Sequence, residues 1–196
     1  MDGFERRTEE KKKKVLRAAF DLMNTDTGIE NLTIDAVAKK ANVGKTSIFK
    51  YFGSKEKLIH EVFIRSMDEM GEKAKKIMEK NASFEETLIA MSQNKIDYLE
   101  KINKQFYLDL MSYYTKKEDS GFTRMMEAYT KQSFGIMLDL FHRGRKEGKV
   151  DLKYSDEFLM LYFQAMIEGI SNPQIYEKIL PYTCLLYTSP SPRDCT

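Results

Sequence analysis

The chain has 196 residues, 42% of them hydrophobic and 32% charged, with a formal net charge of +2. That balance suits a folded globular protein and excludes a disordered polyelectrolyte, and the near-neutral total confines any nucleic-acid footprint to a local patch. No apolar run approaches the roughly 20 residues of a membrane span, and the amino terminus is too charged for a secretory signal, so a cytoplasmic protein is expected.

Residues Met1 to Thr8 are polar and read as a loose terminus. Glu9 to Asn24 reads as a first helix. Val15, Ala18, Ala19 and Leu22 form its apolar stripe, widened by Leu16, Phe20 and Met23. Lys11 to Lys14 is a lysine run near its start, either a solvated face or extra contact to phosphates. Asp26-Thr27-Gly28 turns the chain. Thr33 suits a helix N-cap, because its hydroxyl can accept from an orphan backbone N–H, and Asp35 then sits where a negative charge suits the helix dipole. Ile34, Val37, Ala38 and Ala41 fall at i, i+3, i+4 and i+7, one apolar stripe. Asn42-Val43-Gly44 makes a turn, with Val43 placed to pin it to a core. Lys45 to Tyr51 forms a second short helix. Gly53-Ser54 ends it, and Ser54 caps a third helix with Glu56 in its first turn.

Between Asp35 and Glu56 lie Lys39, Lys40, Lys45, Lys50 and Lys55 and no acid. Thr46, Ser47, Phe49 and Tyr51 are interleaved with them. A helix-turn-helix whose second helix is basic and polar suits the major groove, since cations meet phosphates and short polar side chains reach base edges. A solvated lysine face on a small helical domain is the alternative from charge alone. Gly44-Lys45-Thr46 is not the end of a P-loop, because Lys39 stands where that motif needs glycine and a helix precedes it in place of a strand.

Thr33-Ile34, Val37-Ala38, Ala41, Val43, Tyr51-Phe52, Ser54-Lys55-Glu56 and Leu58 together resemble the DNA-binding segment of the tetracycline-repressor (TetR-like) family of transcriptional regulators. Gly44 departs from the serine common at that place, Thr46 from glycine, and Phe49 from a tyrosine whose hydroxyl bonds phosphate. The resemblance implies that Thr33, Lys45, Tyr51 and Lys55 contact backbone phosphates. Thr46, Ser47 and Lys50 are expected to reach bases, and Phe49 to belong to the same surface.

The helical pattern from Ser54 continues to about Lys80, with Leu58, Ile59, Val62, Phe63, Met67 and Met70 on its inner face and Gly71 as a weak point. Ser83 and Glu86 form a capping box for a helix from Phe84 to about Ile102, with Phe84, Leu88, Met91 and Leu99 among its apolar residues. A shorter helix spans Phe106 to Tyr114, a polar loop Lys116 to Gly121, and a long helix Phe122 to Lys146, stopped by Gly148. Ser155 caps a helix to about Ser171, and Pro173 permits one more from Gln174 to Leu180. From Cys184 to Asp194 the peptide CLLYTSPSPRD resembles a translated sequencing adapter, so both cysteines drop out of the fold argument and the native last helix is cut short.

The expected fold is therefore all-α. A helix-turn-helix DNA-binding domain occupies 1–54, a helical ligand-binding and dimerisation domain 55–183, and a non-native tail 184–196. Leu140 to Gly148 and the Ser155 helix resemble the carboxyl-terminal layout of TetR-like proteins. That implies a homodimer on a pseudo-palindromic operator in double-stranded DNA, formed by the last two helices and weakened here by truncation. It also implies a small-molecule effector. Met111, Tyr114, Met125, Tyr129, Met137, Tyr162, Phe163 and Met166 are the candidates to surround a largely apolar one, against ordinary core packing. No catalytic constellation, cofactor or metal site is expected, and His60 and His142 read as surface or capping histidines. The functional expectation is a sequence-specific transcriptional repressor released from DNA by its effector. The alternative is a helical partner-binding protein without DNA-binding activity.

Overall fold

The structure, a computed structural model, describes residues 3–115 and 120–172 together with residues 174, 175 and 178; for 114, 115, 120–126, 167, 168, 170 and 171 it describes the helical backbone alone. Eight helices follow in order among these: α1 Gly3–Met23, α2 Ile34–Ala41, α3 Lys45–Phe52, α4 Lys55–Glu79, α5 Phe84–Lys101, α6 Lys104–Thr115, α7 Ser120–Lys146 and α8 Asp156–Ser171. The fold is all-α, with no strand among the described residues. The expected helix after Pro173 and the tail from Cys184 fall largely or wholly outside the described residues, as do residues 116–119 of the expected loop.

The chain packs as two compact units. The first runs to Met70 and takes in Leu99–Leu110; the second holds Gly71–Tyr98 and the chain from Met111 onward. The division falls inside α4, beyond residue 54. Helix α4 itself is continuous through Gly71, so the expected weak point does not break it.

The first unit is a helix-turn-helix laid on α1 and the start of α4. Val15, Ala18, Ala19 and Met23 of α1 are buried with Val37 and Ala41 of α2, Ile48 of α3, and Leu58, Ile59, Val62 and Phe63 of α4. Burying a Val, Ile, Leu, Phe or Met side chain contributes roughly 1.5–3 kcal/mol, so this shared core fixes the two short helices, α2 and α3, far more strongly than their propensities could. Phe106 of α6 completes it, meeting Phe20 and Phe63 edge-on with 5.2 Å between ring centroids in each case. His60, expected as a surface or capping histidine, is buried within α4's inner face.

Helix α1 starts at Gly3, which corrects, for Gly3 to Thr8, the loose terminus expected over Met1 to Thr8; residues 1 and 2 lie outside the described residues. No apolar stripe announces those turns. Local charge supports them: Glu5 sits in the first turn, Arg6 approaches Glu10 at 3.9 Å, and Lys12 bonds Glu9 at 2.9 Å.

A polar network pins the loop between α1 and α2 to the α5–α6 junction. Asn24 donates to the Lys101 carbonyl at 3.0 Å, Asn103 to Asp26 at 2.8 Å, and the Ile29 N–H to Asp109 at 2.8 Å. Gly28 has φ +54°, and a Cβ there would stand 2.0 Å from Asp109 Oδ2 and 2.7 Å from Gln105 Cγ. A Gly28→Ala substitution therefore combines left-handed strain with loss of the Asp109 contact. It is expected to cost about 2–3 kcal/mol, measured as a lowered urea midpoint with an unchanged m-value.

In the second unit Ser83 and Glu86 form the expected capping box: the Ser83 N–H donates to Glu86 at 3.1 Å and the Glu86 N–H to Ser83 Oγ at 3.3 Å. Helix α5 buries polar residues. Its buried residues are Thr87 and Asn94, while Leu88 is 40% exposed. Thr87 is buried because Arg143 of α7 donates to its hydroxyl at 3.0 Å. Ser155 caps α8, accepting from the Phe158 N–H at 3.1 Å. Arg145 and His142 of α7 both bond Asp156 in that helix's first turn. Those two partners, His142 foremost, hold the Asp156 carboxyl below the usual carboxylate range.

Candidate nucleic-acid interface

Thr33 forms the N-cap of α2: its backbone is extended and its hydroxyl accepts from the Ala36 N–H at 3.1 Å. The helix ends on Asn42 in the left-handed conformation, φ 52°, and the Val43 N–H returns to the Ala38 carbonyl at 3.1 Å. Asparagine tolerates that conformation, and Val43 is buried as it turns the chain. The turn thus sets the angle at which α3 leaves.

Helix α3 is anchored by one buried residue, Ile48. Around it, Lys45, Thr46, Phe49 and Lys50 are exposed, and Ser47 and Tyr51 are half-buried. Gly44 at its N-cap offers no side-chain bond, and its carbonyl accepts from the Ser47 N–H at 2.9 Å. Ser54 caps α4, accepting from the Lys57 N–H at 3.2 Å, with Lys55 half-buried beside it. Its neighbour Glu56 stays ionised below the usual range, held first by its own backbone N–H and then by Ser54. Thr33, Lys45, Thr46, Ser47, Phe49, Lys50, Tyr51 and Lys55 therefore lie within one three-helix segment.

Linear order concealed one feature of this surface. Asp35 of α2 pairs with Lys45 across the turn, with both side chains exposed. Exposed pairs contribute only about 0–1 kcal/mol, so a phosphate can take the lysine from the aspartate. Lys40 is also paired, to Asp21 of α1 at 3.3 Å, which ties α2 to the helix beneath it.

A helix-turn-helix of this form matches a known family. Residues 15–62 match the bacterial regulatory proteins of the tetR family. That segment of the chain is similar to the tetR family's. The matched segment covers the carboxyl-terminal part of α1, all of α2 and α3 and the start of α4, and the matched family is one of regulators. The chain is 40% identical over 79 residues to the uncharacterized HTH-type transcriptional regulator YhgD of Bacillus subtilis (strain 168). That match spans 40% of this chain and 41% of the relative. The fold also resembles the fatty acid degradation regulator FadR from Bacillus halodurans, with TM-score 0.66, 15% identity and 86% of each chain covered. FadR from Bacillus subtilis, solved in complex with stearoyl-CoA, gives TM-score 0.66 at 14% identity, over 85% of this chain and 88% of that one. At such identities these solved structures speak to fold alone.

The candidate effector residues are scattered over the second unit. Met111, Tyr129, Met137 and Phe163 are half-buried, and Phe163 meets Phe141 edge-on at 5.3 Å. Tyr162 and Met166 lie exposed on α8. The side chains of Tyr114 and Met125 are outside the described residues. Among the described residues no group of three His, Cys, Asp or Glu could hold a metal ion, and no helix is long and apolar enough to cross a membrane.

Proposed function

We propose that this protein is a sequence-specific DNA-binding transcriptional repressor, acting as a homodimer on a pseudo-palindromic operator and released by a small, largely apolar effector. The observation that carries the reading is α3: Ile48 holds it to the core while Lys45, Thr46, Phe49 and Lys50 face outward. Residues 1–54 supply the DNA-binding part and 55–183 the effector and dimer part. Thr33, Lys45, Tyr51 and Lys55 meet phosphates, and Thr46, Ser47 and Lys50 reach bases. A helix of this length fits a B-DNA major groove, and two copies would occupy grooves about 34 Å apart.

Dimerisation draws support from α8, where Phe158, Leu161 and Tyr162 are 49%, 60% and 55% exposed. The FadR–stearoyl-CoA complex supports an acyl-type effector, because it places a ligand with a long apolar acyl chain on this fold. Release follows if the effector binds better to a dimer whose recognition helices are wrongly spaced.

The test is selection of bound fragments from genomic DNA by the parent protein. A Lys45→Ala, Lys50→Ala double variant should then bind the selected fragment roughly 100-fold more weakly, at about 1–3 kcal/mol per residue. A parent that selects no fragment at moderate salt defeats the reading. A panel of long-chain acyl-CoA thioesters, added to the preformed complex, tests the effector class by release.

A further inference from the structure

The first two turns of α1 continue a face that the rest of the helix buries. Val15, Ala18, Ala19 and Met23 pack into the core of the first unit. One step back along the same i, i+3, i+4 spacing come Phe4, Arg7, Thr8, Lys11 and Lys12. An overhang that only extended the core would stay apolar along this face, and a merely solvated one would mix its charges. This face carries three cations, and it does not point into empty solvent. With Lys50 and Tyr51 of α3 it lines an open groove of about 520 Å³, whose walls hold four cations and no acid.

Sites for apolar small molecules are lined mainly by hydrophobic side chains, and this one is not. Four cations converging on an open trough suit a polyanion that can lie along it. The groove also shares Lys50 and Tyr51 with the exposed helix of the DNA-facing surface, so its occupant is contiguous with whatever α3 meets. The cations are held loosely enough to exchange: Lys12 bonds Glu9 at 2.9 Å and Arg7 bonds the Gly3 carbonyl at 3.1 Å, both near the surface. Phe4, 66% exposed at the groove's rim, offers an apolar ring to the sugars between phosphates.

We propose that this groove binds the phosphodiester backbone bordering the major groove that α3 enters, as a second, sequence-independent DNA contact. This rests on the DNA-binding reading above. The lysine run divides accordingly. Lys11 and Lys12 line the groove, whereas Lys13 and Lys14 do not.

The experiment is a salt series of binding by the full chain to its selected duplex and to an unrelated duplex, read by fluorescence anisotropy. Each phosphate contact contributes about −0.9 to the slope of log K against log salt. Arg7→Ala with Lys11→Ala should shrink that slope by about 1.8 on both duplexes and leave their affinity ratio unchanged. Lys13→Ala with Lys14→Ala removes the same charge outside the groove and should leave the slope near the parent's. Arg7→Gln with Lys11→Gln keeps the aliphatic stems and should behave as the first pair does, excluding a loss through helix fraying. An unaltered slope in the Arg7/Lys11 variants overturns the groove while leaving the DNA-binding reading intact. An equal loss in the Lys13/Lys14 variant overturns it too, since any charge on α1 would then serve. A parent that binds neither duplex removes both proposals together.

Discussion

Phe158→Asp combined with Leu161→Asp is expected to yield a monomer that has lost tight operator binding. The two residues sit three apart on α8, with Tyr162 and Met166 extending the same face. A solitary exposed apolar residue needs no explanation, but a helix face bearing four of them does. Tyr154, Phe158 and Tyr162 also stack in sequence, with centroids 5.3 and 6.3 Å apart and ring planes 19° and 18° from parallel. Stacked rings present a flat apolar surface of the kind that pairs with its own copy across a two-fold axis. A carboxylate at each position would place charge inside the proposed interface with nothing to neutralise it. Both residues are already half-exposed, so folding of the protomer should change little. The loss of DNA affinity follows from linkage. Once one half-site is held, the second binds at an effective concentration near millimolar, which raises overall affinity by about 10²–10⁴-fold. The monomer loses that factor. Light scattering reads the oligomeric state and band shift reads the affinity. A variant that stays dimeric, or a monomer that binds as tightly as its parent, contradicts the expectation.

The caps were the most legible part of the fold. Thr33, Ser54, Ser83 and Ser155 each accept from a backbone N–H three residues on, and a three-residue interaction leaves its mark in three residues of sequence. The apolar stripe of α1 from Val15 and that of α4 from Leu58 were equally visible, since burial follows the helical period. The long-range polar bonds left no such mark. Asp109 is 80 residues from Ile29, and neither residue's local pattern announces the other. Arg143 hid the burial of Thr87 in the same way, from 56 residues off. At the candidate interface, the positions outward of Ile48 could be read from one apolar residue in a polar helix. The Asp35–Lys45 pair could not, because only folding brings α2's first turn to α3's first turn. Phe4, Arg7 and Thr8 were missed for another reason. Their spacing was present, but the periodicity that gives a helix away is sought in apolar residues, and here it is written largely in cations.

Arg143→Ala is expected to destabilise the protein by about 3 kcal/mol. The guanidinium Nη1 donates to the Ala82 carbonyl at 2.8 Å and to Thr87 Oγ1 at 3.0 Å, and Nη2 to the Met78 carbonyl at 3.3 Å. Met78 lies in the last turn of α4, where its carbonyl also accepts from the Asn81 N–H at 3.3 Å and a cation offsets the negative end of the dipole. Asn81, with φ 50°, turns the chain there, and Thr87, only 1% exposed, closes the bend by donating to the Ala82 carbonyl at 3.3 Å. One side chain from α7 thus satisfies the end of α4, the bend and the start of α5. Truncation leaves at least two acceptors without their charged donor, and hydrogen bonds to charged groups contribute about 1.5–3 kcal/mol each. Arg143→Lys should recover only part of the loss, because an ammonium cannot reproduce the fork that reaches Ala82 and Met78 together. Lys149→Ala, which removes the exposed 2.8 Å pair with Glu85 nearby, should leave the urea midpoint where it is. If Arg143→Ala shifts the midpoint no further than Lys149→Ala does, the bend is held by its apolar contacts, and the guanidinium is incidental to it.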